Sequence, residues 1–252
     1  MTFSIIGKCE VTGAFGAAIT TSDLAVGARC VRLAHGKGAV LSQHRTDSRL
    51  GDVGIALLRD GLEANDVLGR ICASSDSIEW RQVGVLDAAG RAAAYHGRRM
   101  YSIYTHSARH NCLALGNILD NDGVTNAMAD AFETQAEAPL AARLMAALEA
   151  GRDAGGEVMG QLQSAALRVS GEHGIDAYDL RIDIAPQDAV AELRSLLTAY
   201  KDREERLRQV ALSPDMVPVS RVLFDASVAR IAELGLEKRF PAARDADKWT
   251  LK

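Results

Sequence analysis

The opening twenty residues constrain the fold of this chain more than any other stretch. Thr2 to Cys9 reads as one strand. Glu10-Val11-Thr12-Gly13 reads as a tight turn, and Ala14 to Thr20 reads as a second strand returning antiparallel. The chain therefore begins with a hairpin, and Thr2 stands at the head of its first, buried strand, directly behind Met1. Taken alone, Thr2 is a β-branched residue well suited to start a strand. Its position gives it a second reading. Methionine aminopeptidase removes an initiator methionine when the next side chain is small, and threonine qualifies. Thr2 would then hold a nucleophile and a base together: its Oγ attacks and its own α-amine takes the proton. An α-amine titrates near pH ~8, so a fair share is neutral at physiological pH. If Met1 stays, Thr2 has no free amine.

Composition sets the limits around that hairpin. The chain has 252 residues, of which 48% are apolar, enough for one large domain or a domain with an appendage. The net charge is −4, with acidic and basic residues interspersed, which leaves no basic footprint for nucleic acid. The apolar runs fall short of the ~18–20 residues of a membrane span. Met1 leads straight into a strand with no basic leader, so a cytoplasmic protein is expected. Cys9, Cys30, Cys72 and Cys112 are widely spaced and are expected as reduced thiols.

Beyond the hairpin, Ala25 to Leu33 reads as a strand, and Ala39 to Gln43 as another, buried one. Asp52 to Asp60 and Ala64 to Ala73 have apolar residues at helical spacing. Arg81 to Leu86 and Ala92 to His96 form a hairpin around Asp87-Ala88-Ala89-Gly90. Asn111 to Leu119 is a further strand and turn, whereas Tyr101 to His110 carries no convincing helical pattern. Val124 to Gln135 and Leu140 to Ala150 read as helices, Ser164 to Ser170 and Ala177 to Ile182 as a closing hairpin, and Asp188 to Leu212 as one long helix. Val219 to Leu236 resumes a helical pattern. Hairpin-joined strands with helix pairs outside them argue for an α+β fold. The natural arrangement is a four-layer α-β-β-α sandwich of two antiparallel sheets over residues 1–200, followed by a helical C-terminal extension over 201–252. A small terminal helix on a charged stem packs on a neighbour, either within the chain or in a partner subunit, and a homo-oligomer contact is the expected use.

With these elements placed, the chain resembles a known family. Gly38-Ala39-Val40 with Gln43 after it, and Arg81-Gln82-Val83-Gly84-Val85-Leu86-Asp87, carry the likeness. So do Gly116-Asn117 ahead of Ala127-Met128 and Ala131-Phe132, then Pro139-Leu140-Ala141 leading to Leu148-Glu149-Ala150-Gly151. Gln163-Ser164-Ala165-Ala166-Leu167, Asp179-Leu180-Arg181-Ile182-Asp183 and Glu192-Leu193-Arg194 complete it. In their order and spacing these segments resemble the bacterial and archaeal family known as domain of unknown function 1028, over roughly residues 2–200. The resemblance implies a fold like that of N-terminal nucleophile hydrolases. Some members carry a peptidoglycan-binding domain; the tail of this chain does not look like one.

That likeness assigns expected roles. Proteasome-like β subunits also open on a threonine hairpin and place a lysine on the third strand; the similar place here holds Arg29, which supplies field but exchanges no proton. Arg29 also reads as a surface residue. Thr20, Thr21 and Ser22, at the end of the second strand, should lie beside the start of the first, to orient the amine or bind substrate, or else form a surface turn. An oxyanion needs preorganised donors. Gln43 and Asn117, each at a strand end, are the candidates, and Asn117 also reads as a turn cap. His44 beside Gln43, Gln163 at the head of a strand, and Asp183 would line the pocket. His106 and His110 are four apart but lack the glutamate of His-Glu-x-x-His, and the remaining histidines are isolated. No metal or cofactor is expected.

The leading expectation is a hydrolase of a small amide, with Thr2 as nucleophile and a small molecule as substrate. One rival is a non-catalytic protein that binds a small metabolite or assembles with a partner. Another is an enzyme that works through Gln43, His44, Asn117 and Asp183 without Thr2.

Overall fold

The computed structural model describes residues 1–242 and 246–252. The described chain forms two compact units, Met1–Ala199 and Tyr200–Lys252. Residues 243–245, part of the stretch read as a C-terminal extension, lie outside the described residues.

The first unit is a mixed α+β structure with two antiparallel sheets. β1 (Thr2–Lys8), β2 (Phe15–Thr21), β7 (Tyr104–Arg109), β8 (Cys112–Asn117), β9 (Ser164–Val169) and β10 (Tyr178–Ile182) make a six-stranded sheet in the order β10-β9-β2-β1-β8-β7. β3 (Val31–Ala34), β4 (Gly38–Gln43), β5 (Gln82–Asp87) and β6 (Ala92–His96) make a four-stranded sheet in sequential order. The opening hairpin thus supplies the two central strands of the larger sheet.

Strand alternation sorts every β1 side chain to one of two faces. Ile6 joins Phe15, Ala17 and Ile19 of β2, Leu113 and Leu115 of β8, Ala39 and Leu41 of β4 and Leu86 of β5 in one apolar cluster built by both sheets. Gly84 permits that close approach, since a Cβ there would lie 2.4 Å from Leu115 Cδ1. The opposite face of β1 meets α4 (Val124–Thr134) and α5 (Leu140–Asp153): a Cβ on Gly7 would collide with Phe132 and touch Leu144. Across the smaller sheet, Val40, Val83 and Val85 share a second cluster with Leu50, Ile55 and Leu58 of α2 (Ser48–Arg59) and Val67 and Ile71 of α3 (Ala64–Ala73).

Several elements differ from the sequence reading. Ala25 to Leu33 is not one strand. Val26–Arg29 forms a short helix, α1, and the strand begins only at Val31. Tertiary contacts override the alternation there. Ala25 N–H donates to Asp183 O at 3.0 Å, Val26 N–H donates to Ser164 Oγ at 3.1 Å, and Gly27 packs so tightly on Ala166 that a Cβ would lie 2.4 Å from it. α2 starts a turn before Asp52, because the Asp47 carboxylate caps it by accepting from Arg49 N–H at 3.1 Å. β7 was missed because it is an edge strand, largely solvent-facing and without apolar alternation.

The expected long helix is two: α6 (Ala189–Lys201) and α7 (Glu204–Leu212). The buried face of α6 ends at Leu197, and none of the α7 residues is buried, so the apolar stripe that would carry one continuous helix stops there. In the second unit, α8 (Arg221–Glu233) is N-capped by Ser220 and has no buried residue. Val219 N–H donates to Thr250 O and Lys252 N–H to Val219 O, tying the last residues to the start of α8. Among the described residues, no helix is long and apolar enough to cross a membrane.

Candidate functional site

One end of the layer between the sheets is polar. Thr2 and Ser4 follow the same alternation as Ile6 and therefore face the smaller sheet. Ser4, Gln43, Gln82 and Asn117 are fully buried and Thr2 nearly so. Register puts Asn117 directly opposite Thr2, while Phe3 pairs with Thr20, which leaves Thr21 flanking Thr2 on the other side.

Thr2 Oγ lies 3.2 Å from Thr21 Oγ and 2.5 Å from the Met1 carbonyl oxygen. The Thr21 hydroxyl also donates to that carbonyl. Behind Thr2 runs a network of side-chain amides. Ser4 Oγ donates to Gln43 Oε1 at 2.8 Å. Gln43 Nε2 at 2.6 Å and Asn117 Nδ2 at 2.9 Å both donate to Gln82 Oε1. Gln82 Nε2 donates to Gly116 O at 2.9 Å and faces His96 Nδ1 at 3.0 Å. Gln82 is thus a saturated node, and this fixes the orientation of every amide around it. The Asn117 Oδ1 remains buried without a partner.

The network surfaces through a histidine pair, His96 Nε2 to His106 Nδ1 at 2.9 Å, with Tyr104 stacked on His96. Burial, and then the charge of His106, pushes the His96 pKa down to about 4, so this imidazole is neutral at physiological pH. His96, read from the sequence as isolated, is thus joined to His106, whereas His110 bonds Glu10 instead. Among the described residues no cluster of three or more metal-ligating side chains forms.

Glu157 lies in the loop after α5, where it bridges to Leu119, two residues beyond Asn117. It is 2% exposed, and neither carboxylate oxygen has a hydrogen-bond partner. Burial pushes its carboxyl up, opposed by Ser22 and by the positive chain terminus at Met1. Ser22 acts from outside normal hydrogen-bond geometry.

The remaining candidates separate. Thr20 points away from Thr21, to the outer face, and its hydroxyl donates to Ser164 O at 2.8 Å. Arg29 is held by Asp23 Oδ2 at 3.0 Å and Leu24 O at 2.9 Å, on a helix rather than on a third strand. His44 is buried in a left-handed conformation, φ 54°, with Nδ1 2.6 Å from Trp80 O and Tyr101 N–H pointing at Nε2. Burial lowers its pKa, against the bond to Trp80. Gln163 and Asp183 are seen through their backbones: Gln163 N–H donates to Thr21 O, Gln163 O accepts from Ala185, and Asp183 O accepts from Ala25. Sequence reasoning missed Ser4, Gln82 and Glu157. Ser4 and Gln82 carried a signal, being polar residues at inward positions of apolar strands. Glu157, in a Gly-Gly-Glu loop, carried none.

The fold and site therefore define an α+β protein whose inter-sheet layer ends in a buried polar cleft at the head of β1. The chain belongs to the family of unknown function DUF1028, whose model matches residues 2–193. It is similar to the crystal structure of a protein from Silicibacter pomeroyi assigned to the same family, with 30% identity over 79% of this chain and 86% of that one and a TM-score of 0.73. No curated protein matches it.

Proposed function

We propose that this chain is an amide hydrolase of the N-terminal nucleophile kind, built on a four-layer α-β-β-α sandwich, with Thr2 as its nucleophile once Met1 is gone. The observation that carries this reading is the position of Thr2: at the head of a central strand, facing the inter-sheet cleft, 3.2 Å from Thr21 Oγ and opposite Asn117. The Thr2 Oγ proton passes to the freed α-amine as the Oγ–C bond forms at the amide carbonyl. The C–N bond then breaks, and the proton leaves with the amine. Water adds to the resulting ester, which releases the acid and restores Thr2. Asn117 and Gln43 act as positioning residues, because their amide N–H groups are directed at Gln82. The reading places the protein in the cytoplasm. It also assigns the apolar side chains that α8 exposes, Val222 and Leu223 among them, to contact with a second copy of the chain.

Intact mass of the untagged protein tests the mechanism first. A mass one methionine short of the sequence, with an electrophilic amide probe attached at Thr2 and absent from Thr2→Ala, supports it. Retention of Met1 sinks it. One observation favours a non-catalytic reading: the Met1 carbonyl sits on the Thr2 and Thr21 hydroxyls, so a chain that keeps Met1 presents a binding cleft without a nucleophile. The hydrogen bonds give the third reading less support. They join Gln43 to Asn117 through Gln82, whereas His44 bonds the Trp80 carbonyl and Asp183 the backbone of Ala25.

A further inference from the structure

We infer that Glu157 is the anchor for a substrate ammonium group, so that the cleft takes amides of α-amino acids with a free amine. This rests on the amide-hydrolase reading and adds a substrate class to it.

The first support is the state of Glu157 itself. A carboxyl 2% exposed whose oxygens have no partner in hydrogen-bond geometry, with Ser22 the one polar group acting on it from further off, is costly to ionise, and a cation that completes it relieves that cost. Among the described residues no lysine or arginine pairs with it. Asp23, the other acid acted on by the chain terminus, is already engaged by Arg29 at 3.0 Å.

The second support is how firmly the loop holds it. Glu157 bridges to Leu119, Val158 N–H donates to Ile118 O, and Asp120 N–H donates to Gly156 O. Gly155 and Gly156 precede it with φ 122° and 61°, a path open to glycine. A Cβ at Gly156 would sit 3.3 Å from Phe3, so this loop is built directly against the start of β1.

The third support is what lies there. Met1 is an aminoacyl group joined by an amide bond to Thr2. Its carbonyl oxygen is taken by the hydroxyls of Thr2 and Thr21, and its ammonium is the charge acting on Glu157. A free aminoacyl amide offers the same two features at the same spacing. With Met1 removed, its ammonium would meet Glu157 while its carbonyl met the hydroxyl pair.

Calorimetry on protein released from a cleavable fusion, so that Thr2 is the first residue, tests this without needing turnover. The probes are methioninamide and its N-acetyl derivative, on the wild type, Thr2→Ala and Glu157→Gln. Wild type and Thr2→Ala are expected to bind the free-amine probe at least about tenfold tighter than the acetylated one, and Glu157→Gln to lose that preference. Equal binding of the two probes, absence of binding by either, or a preference that survives in Glu157→Gln overturns the inference. A Glu157-dependent preference without any hydrolysis would leave the ammonium site standing while the hydrolase reading fell.

Discussion

Asp87 and Glu157 are equally shielded from solvent, each 2% exposed, and the structure treats them in opposite ways. Asp87 ends β5, at the far end of that strand from Gln82. Its carboxylate accepts from Ala64 N–H at 3.0 Å, Ala89 N–H at 2.9 Å, and Arg91 N–H at 3.1 Å, and from Arg91 Nε at 2.9 Å. Burial pushes its carboxyl up, but these donors outweigh burial and hold it below the ordinary carboxylate range. Glu157 has only Ser22, outside normal hydrogen-bond geometry, and the distant chain terminus to oppose burial, and burial wins. One end of the unit is closed by a saturated acid that caps α3 and fastens the β5–β6 turn. The other holds an acid whose oxygens have no hydrogen-bond partner. Equal exposure therefore does not mean equal purpose; the donors around Asp87 and the deeper burial of Glu157 together decide.

Removing the saturated acid should have the largest effect on stability. Asp87→Ala strands three backbone N–H groups and leaves Arg91 with Glu63 alone, at an expected cost of about 3 kcal/mol or more. A urea melt reads it directly, and a loss under about 1 kcal/mol would mean that water replaces the carboxylate cheaply. The contribution has a definite sign with pH. The folded pKa is depressed, so the stabilisation is present above the unfolded value near ~3.9 and is lost as pH falls through the folded one.

Gln82→Leu comes next. It leaves Gln43 Nε2, Asn117 Nδ2 and the Gly116 carbonyl without their Gln82 partner in a buried layer, at roughly 2–3 kcal/mol. Thermal melting checks it. A near-neutral result would show that the amides re-pair among themselves, and the polar end would then be as adaptable as the Asp87 end is fixed.

The third change has the opposite sign. Glu157→Gln removes a bare buried charge and should raise stability at pH 7 by about 1–2 kcal/mol, while costing the proposed ammonium preference. The gain should shrink as the pH falls, because acid neutralises the wild-type carboxyl. A raised folded pKa means that the native state takes up the proton first. If the variant is instead less stable at pH 7, Glu157 has a partner within the protein, and the contrast with Asp87 collapses.

Much of this frame was legible in the sequence, for reasons that also explain what was not. The β1–β2 and β9–β10 hairpins, β4 and the β5–β6 pair have apolar alternation or turn residues that need no distant partner. Thr2, Thr21, Gln43 and Asn117 were found because each sits at a strand end. Thr20 was named with Thr21, although alternation allows only one of them to face the cleft, and it is Thr21. Arg29 was misplaced because α1 exists through contacts with Ser164, Ala166 and Asp183, more than a hundred residues away in the chain. Glu157 was invisible for the same reason: its meaning lies in the three-dimensional absence of donors, which no local pattern records.

The smallest expected effect comes from His96, where the polar end reaches solvent. Its neighbours are the Gln82 amide, the His106 ring and the stacked Tyr104, and none of them is an acid that would welcome a proton. Its folded pKa is pushed down to about 4, against an unfolded value near ~6.5. The unfolded chain therefore binds more protons between those limits. Stability is full above pH ~6.5 and declines as pH falls towards about 4. The ring is partly solvated, so the slope should amount to about 1 kcal/mol or less over the window. His96→Asn should flatten that decline, whereas Glu157→Gln should remove a change of the opposite sign, because Glu157 gains from the same protons that His96 resists. Melting temperatures of the wild type, both single variants and the double variant between pH 4 and 7 separate the two. If the single-variant effects add, the histidine pair and the carboxylate are independent features of one cleft. If they do not, the Gln82–Asn117 network transmits charge between them, and the polar end behaves as one titrating unit.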